Sequence, residues 1–376
     1  MAPDWAHIRA GFPALAPHHR RTYLNTATYG QTPRAAAAAI AAHLAHRDEL
    51  ACSDFLSWFD DADRLRASLG RLIGCSGDDI AFLPTAAASL SLLIGGIDWR
   101  PGDRVVTLEH EFPNNLYYPA LLAGRGVEFI EAPWDRFLAE ATHPRTRLAA
   151  ISSVSYITGF RAPLAEIAAA LQSREAVFYV DGTQSVGALS MDIAAFRPAM
   201  MCVDAYKWML TPNGAGFVYV DPRVRQWLQP SVVGWRSHED WRSVDNLHTG
   251  APRFSARAEK YEGGMIPFGL LAGLESVVDL MLSIGPAAIE TRVLALAAQL
   301  RSRLERFGAS VPYGDTQIVA ARFPAPWPEA SALARQLRER GVMVSARHGN
   351  LRISVHFYNN EDDLDQLVAA LAALAP

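Results

Sequence analysis

The chain has 376 residues, of which half are apolar, with a formal net charge of −4 and a pI near 6.3. This length suits one large and one smaller domain, and the apolar content excludes the disordered class. The charge balance gives no reason to expect nucleic acid or an anionic membrane as a partner. No apolar leader or membrane-length apolar run is visible, and three scattered cysteines form no metal or disulfide pattern, so we expect a cytoplasmic protein.

The first two thirds of the chain alternate between helical and β-rich stretches. An alanine-rich segment over 35–70 predicts a helix that closes at "GCSGDD" (74–79). Strands are then predicted over 103–109, 127–132, 147–155, 176–180, 199–203 and 214–220, and helices over 114–124, 135–143 and 162–174. This alternation predicts an α/β fold with a mostly parallel sheet covered on both faces.

The last third begins with an irregular region over 221–268 that is rich in Trp, Arg, Ser and His. A long helical stretch over about 269–307 follows. Strands are predicted over 316–323, 342–346 and 350–356, and helices over 328–340 and 361–374. These elements predict a second, α+β unit.

Two charged residues lie where such a sheet would bind a ligand. Asp181 directly follows the strand in "AVFYVDGTQ", and Lys207 comes shortly after another strand in "DAYKWM". Ligands bind beyond the carboxyl ends of parallel strands. A partly desolvated lysine can hold a carbonyl cofactor as a Schiff base, an aspartate can keep a pyridine nitrogen protonated, and Gln184 can bond to a ring substituent. Pyridoxal 5′-phosphate needs these partners, although a lone charge there is more often a solvated loop residue.

Taken in order, "VDGTQSVGA", "AYKW" and "PNGAGFVYV" resemble the core motif of class V pyridoxal-phosphate enzymes of fold type I. That group includes cysteine desulfurases, isopenicillin-N-epimerase-like proteins, kynureninases and C–S lyases. Further segments extend the resemblance over nearly the whole chain: "YLNTATYGQTP" (23–33), "FLPTAAASLSLLIGG" (82–96), "EHEFPNN" (109–115), "YEGGMIPFG" (261–269) and "LRISVHFYNNEDDLDQL" (351–367).

The resemblance implies a domain organisation and an assembly. It implies a large cofactor-binding domain over 31–268, built on a mainly parallel seven-stranded sheet, and a smaller C-terminal α+β domain over 269–376. Residues 1–30 are expected to belong to the small domain. It also implies a homodimer whose active sites are shared between subunits, with an amino acid as substrate.

The resemblance assigns roles around the cofactor. Lys207 binds it covalently and is the catalytic base and acid at the substrate α-carbon. Asp181 holds the pyridine nitrogen, Gln184 contacts the phenolic oxygen, and Phe112 stacks on the ring where desulfurases use histidine. The phosphate is expected at the N-terminus of the helix that starts near residue 86. The residues expected to contact it are Thr85, Ala86, Ala87, Tyr206 and, from the neighbouring subunit, Met265 in place of a threonine.

Asp204 departs from the family pattern, which often has a small hydroxyl residue three positions before the lysine. A carboxylate beside the phosphate would repel it. We therefore expect Asp204 to point elsewhere or to be neutralised by a nearby arginine.

The resemblance also assigns the substrate end. The fork of Arg352 suits an amino-acid carboxylate bidentately, and Asn25, Thr26 and Ala27 are expected to line the same end. Tyr156 stands where desulfurases show an asparagine near the substrate carboxylate. No metal is expected, since His43 and His46 lie on a predicted helix without further ligands.

The departures narrow the reaction. Desulfurases carry a catalytic cysteine on a loop shortly before the C-terminal arginine, whereas this loop reads "SARHGNLR", with His348, and no cysteine follows Cys202. The leading hypothesis is a C–S lyase that performs β-elimination on an S-substituted cysteine, in a setting such as bacterial secondary metabolism. Class V transamination and amino-acid epimerisation are alternatives. A non-catalytic scaffold is a remote one, and no G-x-G-x-x-G supports a nicotinamide dehydrogenase.

Overall fold

The structure, a computed structural model, describes residues 3–312 and 314–376. The strands within those residues are, in chain order, β1 (Thr22–Tyr23), β2 (Ile80–Ala81), β3 (Arg104–Leu108), β4 (Glu128–Ala132), β5 (Thr146–Ser152), β6 (Val177–Asp181), β7 (Met200–Asp204), β8 (Gly216–Val220), β9 (Ile318–Ala321), β10 (Val342–Met343), β11 (Ser345–Arg347) and β12 (Asn350–Ser354).

The α-helices are α1 (Trp5–Ala10), α2 (Arg34–Glu49), α3 (Ser57–Ile73), α4 (Ala86–Gly96), α5 (Tyr117–Leu121), α6 (Trp134–Ala141), α7 (Leu164–Leu171), α8 (Ile193–Phe196), α9 (Pro222–Arg225), α10 (Phe268–Ile284), α11 (Pro286–Glu305), α12 (Ala330–Glu339) and α13 (Glu361–Ala372). Among the described residues no single helix is long and apolar enough to cross a membrane; α10 and α11, bent by 83° between them, reach that length and composition only as a pair.

Seven strands form the central sheet in the order β2-β8-β7-β6-β5-β3-β4. The strands from β7 to β4 pair in parallel, whereas β8 is antiparallel to both of its neighbours. β7 and β8 are buried at every position, because apolar clusters pack on both faces of the sheet. The predicted mainly parallel sheet, covered on both faces, is confirmed.

The C-terminal unit is built on the antiparallel sheet β11-β12-β9. The N-terminal strand β1 pairs in parallel with β10, and Asn25 forms a bridge with Ser354 at the end of β12. The N-terminal segment is therefore anchored to the C-terminal unit before the chain reaches the central sheet. That anchorage brings residues near 25 towards the strand that carries Arg352.

Three predicted elements are wrong in their bounds. The helix predicted over 35–70 is two helices, α2 and α3, because Ala51 and Cys52 adopt positive φ between them. The stretch predicted over 269–307 breaks at Gly285 (φ +93°), where Pro286 begins α11. The strand predicted over 342–346 is divided between two sheets as β10 and β11.

Candidate active site

Parallel strands end together at one edge of the central sheet, and polar residues stand at those ends. Ser152 ends β5, Asp181 ends β6 and Asp204 ends β7. Ser152 and Asp181 are direct partners in the register of their ladder. Since ligands bind beyond the carboxyl ends of such strands, this edge is the expected binding region.

A narrow cleft opens at this edge. The sequence-predicted residues that line it are Phe112, Tyr156, Asp181, Gln184 and Lys207, and Asp204 lines it as well. Asn114, Ser152 and Thr183 also line it and were missed by sequence reasoning. The strand-end rule was the signal for Thr183, which lies just past the strand predicted over 176–180. Ser152 lay inside the strand predicted over 147–155, which in the structure ends at Ser152.

Lys207 is enclosed within this cleft. Its side chain is 7% exposed, and Nζ lies 5.3 Å from the centroid of the Phe112 ring and 5.4 Å from that of Tyr206. Burial lowers the pKa of Lys207 below its ordinary value, opposed by the charges of Asp181 and Asp204. A desolvated amine of this kind holds its nucleophilic, neutral form more readily.

The N-terminal segment closes over the backbone of this lysine. Gly30 N donates to Tyr206 O, and a Cβ at Gly30 would stand only 1.9 Å from the Lys207 carbonyl oxygen. Glycine is therefore required there for the close approach.

Lysine is rare in this chain. Of 35 basic residues only two are lysines, Lys207 and Lys260. Lys260 is also buried, and its Nζ donates to Arg225 O (2.7 Å), which places it outside the cleft. Within the cleft, Lys207 is thus the amine available for covalent chemistry.

Asp181 and Gln184 are fixed by the turn that follows β6. Asp181 is 5% exposed and one carboxylate oxygen accepts from Thr183 N (2.9 Å). Gln184 accepts from Trp208 Nε1 (2.7 Å) and donates to Ala27 O (3.1 Å). A primary amide carries two N–H donors, so one remains for a ligand in the cleft.

Phe112 and Tyr156 form the aromatic wall of the cleft. Their rings meet edge to face, with centroids 5.2 Å apart. Behind Phe112, Glu111 is fully buried and accepts from Ser152 N (2.6 Å) and Asn115 Nδ2 (3.1 Å). Burial raises the pKa of Glu111. Sequence reasoning missed this carboxyl, which holds the Phe112 turn against the end of β5.

The N-terminus of α4, the expected phosphate position, already has an acceptor. Thr85 caps the helix by accepting from Ala88 N (3.1 Å), and Asp204 Oδ1 accepts from Ala86 N (2.7 Å). Neither expectation for Asp204 holds, since it lines the cleft and, among the described residues, the charged groups that act on it are Asp181 and Lys207 and include no arginine. Ala87 is exposed beside it in the first turn of the helix.

Tyr206 and Met265 are placed differently from each other. The Tyr206 ring lies beside Lys207 and packs on Tyr29, with centroids 4.9 Å apart. Met265 is 57% exposed on the loop after residues 258–262 and does not line the cleft of its own chain. That loop is held by a buried ion pair between Arg236 and Glu262 (2.6 Å).

Arg352 approaches the cleft from the C-terminal unit. Its guanidinium is 1% exposed and donates to Ser345 Oγ (3.1 Å), Tyr156 O (2.8 Å) and Thr28 Oγ1 (2.6 Å). Burial, and then the charge of Arg347, lower its pKa to about 9. No carboxylate pairs with it among residues 3–312 and 314–376, so this buried cation suits an anionic ligand.

The N-terminal segment reaches Arg352 through a residue that sequence reasoning missed. Thr28 contacts the guanidinium and its hydroxyl also donates to Asn25 Oδ1 (2.9 Å). The prediction for Thr26 is wrong, because its side chain is fully buried and shares a hydrogen bond with Tyr358 OH (2.6 Å) inside the C-terminal unit. Ala27 contributes its backbone carbonyl to Gln184.

The β11–β12 hairpin carries a histidine at its tip. His348 (φ +47°) and Gly349 (φ +76°) form its two-residue turn, as a type I′ turn requires. His348 is exposed at the mouth of the cleft, where Nε2 lies 3.4 Å from Tyr156 OH. The turn thus joins Arg352, on the same hairpin, to the aromatic wall.

These groups fit pyridoxal phosphate. The buried amine of Lys207 suits the cofactor's aldehyde, and the buried carboxylate of Asp181 suits its pyridine nitrogen. The aromatic ring of Phe112, near the amine, suits the face of the cofactor ring. The guanidinium of Arg352, which pairs with no carboxylate of the described residues, suits a substrate carboxylate. Only Asp204, at the N-terminus of α4, opposes the charge of the phosphate.

Comparison with known proteins gives a consistent result. The family model described as aminotransferase class-V matches residues 45–367. Isopenicillin N epimerase of Streptomyces clavuligerus is 29% identical over 93% of this chain and 94% of its own length. A probable cysteine desulfurase of Methanothermobacter thermautotrophicus is 24% identical over 98% and 97% of the two chains. A solved cystine C–S lyase, in complex with its product cysteine persulfide, superimposes with a TM-score of 0.87 at 22% identity, covering 97% of this chain and all of that one.

Proposed function

The chain belongs to the class-V aminotransferase family and is a pyridoxal-phosphate-dependent enzyme of fold type I, and we propose that it is a C–S lyase that cleaves S-substituted cysteines by β-elimination. The cofactor supplies an electron sink that stabilises negative charge at the substrate α-carbon. The chain's own residues decide which bond then breaks.

The observation that carries the proposal is where the thiols lie. Cys202 is buried within β7, and burial raises its pKa well above the ordinary range. Burial also raises the pKa of Cys75, to about 12, and Cys52 lies in the turn between α2 and α3. None of the three lines the cleft. Transfer of sulfur to an enzyme thiol, the desulfurase route, therefore has no acceptor here.

Binding of the substrate begins at Arg352. Its guanidinium, which no described carboxylate pairs with, donates to the α-carboxylate, and Thr28 and the Tyr156 carbonyl hold the fork in place. Arg352 is near enough to Lys207 for its charge to act on the amine, so a carboxylate held there would bring the α-carbon towards Lys207. Lys207 in its neutral form removes the α-proton, and the lowered pKa favours that form.

The departing sulfur needs a proton, and the hairpin tip offers one. As the α-proton leaves, a Cα–Cβ double bond forms, the Cβ–S bond breaks, and the electron pair stays on sulfur. His348, in contact with Tyr156 at the cleft mouth, gives that sulfur its proton. The released enamine hydrolyses in water to pyruvate and ammonia. His348 lies on the loop on which the desulfurase pattern carries its cysteine.

The relatives support this choice without deciding it. The fold is shared with a protein that cleaves the C–S bond of cystine, and a curated relative at 29% identity is an epimerase. Both reactions begin with removal of the α-proton. We favour elimination because His348, a side chain able to donate a proton, lies beside Tyr156 of the cleft.

The test is product identification by mass spectrometry from the cofactor-loaded enzyme with a panel of S-substituted cysteines and ordinary amino acids. The proposal predicts pyruvate, ammonia and one thiol per turnover, continuing without an added keto acid. Lys207→Ala serves as the matched blank. Accumulation of pyridoxamine phosphate with a keto acid would instead show an aminotransferase. In heavy water, recovery of intact substrate with inverted configuration and deuterium at Cα would show an epimerase.

We also infer that the site is completed by a second copy of the chain. Met265, Val232 and Val233 are 57%, 63% and 54% exposed. They lie on neighbouring loops, since Gly263 would contact Val232 if it carried a Cβ. Exposed apolar side chains grouped in this way are typical of a surface that another protein subunit covers. Sedimentation of the wild type should show a dimer, and Val232→Lys should weaken that dimer. A wild type and a variant that both sediment as monomers would contradict this.

A further inference from the structure

Asp204 occupies the position at which an anion would bind α4. Its Oδ1 accepts from Ala86 N at 2.7 Å, its own backbone N–H donates to Thr183 Oγ1, and its side chain is buried at the end of β7. The side chain is also part of the cleft that contains Lys207. An internal carboxylate therefore bonds to an amide at the helix N-terminus, where the positive end of the dipole and the orphan N–H groups favour a phosphate.

The surroundings of Asp204 are unfavourable for a second negative charge. Asp181 and Tyr179 face it from β6, Cys202 from β7, and Tyr206 and Lys207 from the segment after β7, so Lys207 is the one cation in this set. Burial, followed by the charge of Asp181, raises the pKa of Asp204 to about 6. A phosphate carrying nearly two charges at neutral pH would add to this repulsion.

We propose that Asp204 takes up a proton when the cofactor phosphate binds, so that its carboxyl group stays beside the phosphate as a neutral hydrogen-bond donor. One proton passes from solvent to the carboxylate, no covalent bond changes, and the Ala86 amide becomes free to bond to the phosphate. Asp204 is thus a positioning residue that determines cofactor affinity. This inference does not depend on which reaction the enzyme performs.

The sign of the pH dependence follows from the direction of the proton transfer. The bound state holds one more proton than the free state, so binding is strongest at low pH and weakens as the pH rises. The weakening begins near pH 6, where Asp204 ionises in the free protein. It approaches about tenfold per pH unit above pH 7, because one proton is taken up per binding event.

The experiment uses 4-deoxypyridoxine 5′-phosphate, which has the ring and the phosphate but no aldehyde, so Lys207 chemistry does not contribute. Its dissociation constant is measured from pH 5.5 to 8.5 by calorimetry, in buffers of different ionisation enthalpy that reveal proton uptake. The full-length wild type is compared with Asp204→Asn and Asp204→Ser. Titration of the probe itself is common to all three proteins and cancels in the ratio.

We expect Asp204→Asn to bind about as tightly as the wild type at pH 5.5 and at least about tenfold more tightly at pH 8, following the linkage above. Wild type should take up close to one more proton than either variant at pH 8. Asp204→Ser, with a hydroxyl of the kind usual in the family, should behave like the Asn variant, and it supports the test if the Asn variant fails to fold. Parallel affinity curves with equal proton uptake in all three proteins would overturn the proposal.

Discussion

The site has two sides that differ in charge and in what holds them: the sheet edge, whose residues line the cleft, and the β11–β12 hairpin, which contacts the lining residue Tyr156. The sheet-edge side carries Lys207 and the carboxylates of Asp181 and Asp204, all between 5% and 8% exposed, and it is fixed by the parallel ladder behind it. The hairpin side carries the buried cation Arg352 and the exposed His348, and its tip is a two-residue turn.

This difference indicates how the work is divided. Residues at the ends of buried strands cannot move without disturbing the sheet, so the sheet-edge side provides the constant chemistry towards the cofactor. A hairpin tip can change its side chain at little cost to the fold. We therefore assign the choice of reaction and substrate to the hairpin side, and four substitutions test that division.

Lys207→Ala has the largest expected effect, because it removes both the covalent attachment and the base. Turnover should fall by at least about 10³-fold, and the visible absorption of the bound cofactor should change. The matched control is Lys260→Met, which removes the other buried lysine and should leave both properties nearly unchanged. Normal turnover of Lys207→Ala would show that Lys207 is neither the attachment point of the cofactor nor the catalytic base.

Arg352→Ala should raise KM for the amino acid by about 30- to 800-fold, equivalent to about 2–4 kcal/mol for a desolvated charged pair. The cofactor should still bind normally, since the arginine belongs to the hairpin side. Arg347→Ala, which removes a neighbouring and less buried guanidinium, should change KM only a few-fold. An unchanged KM in Arg352→Ala would remove this residue from substrate binding.

His348→Asn tests the leaving-group role while keeping a residue that tolerates positive φ at the turn. We expect kcat to fall by about tenfold or more for S-alkyl cysteines, whose thiolates need a proton. Substrates that release an acidic aryl thiol should be affected much less. Steady-state rates for a series of S-substituted cysteines whose leaving thiols differ in acidity measure how the loss depends on the leaving group. An equal loss for all leaving groups would assign His348 a structural role.

Phe112→His has the smallest expected effect. Either ring offers a π face near Lys207, so turnover should stay within about tenfold of wild type, the scale of about 0.5–1.5 kcal/mol for an aromatic contact. The turn that holds residue 112 is kept by Glu111 in both proteins. Turnover against substrate concentration measures this, and complete inactivity would show that residue 112 is not the stacking residue.

The sequence predicts residues that follow buried strands better than it predicts contacts between distant chain segments, for a physical reason. Buried parallel strands are continuous apolar runs, and whatever follows them must face the ligand edge, so Asp181 and Lys207 could be located from the pattern. Thr28, Glu111 and the Ala86–Asp204 bond depend on chain segments that meet only in the folded protein. The error at Thr26 has the same origin. In this irregular segment Thr26 points into the interior, and Thr28, two residues later, is the side chain that contacts Arg352.

The most direct test of the sheet-edge assignment uses the scarcity of lysine. Borohydride makes the link between the cofactor and its lysine permanent, and the chain offers only Lys207 and Lys260. Peptide mapping by mass spectrometry after reduction of the cofactor-loaded enzyme should find the pyridoxyl group on Lys207 and none on Lys260. A label on Lys260, or on neither lysine in protein that binds the cofactor, would contradict the account.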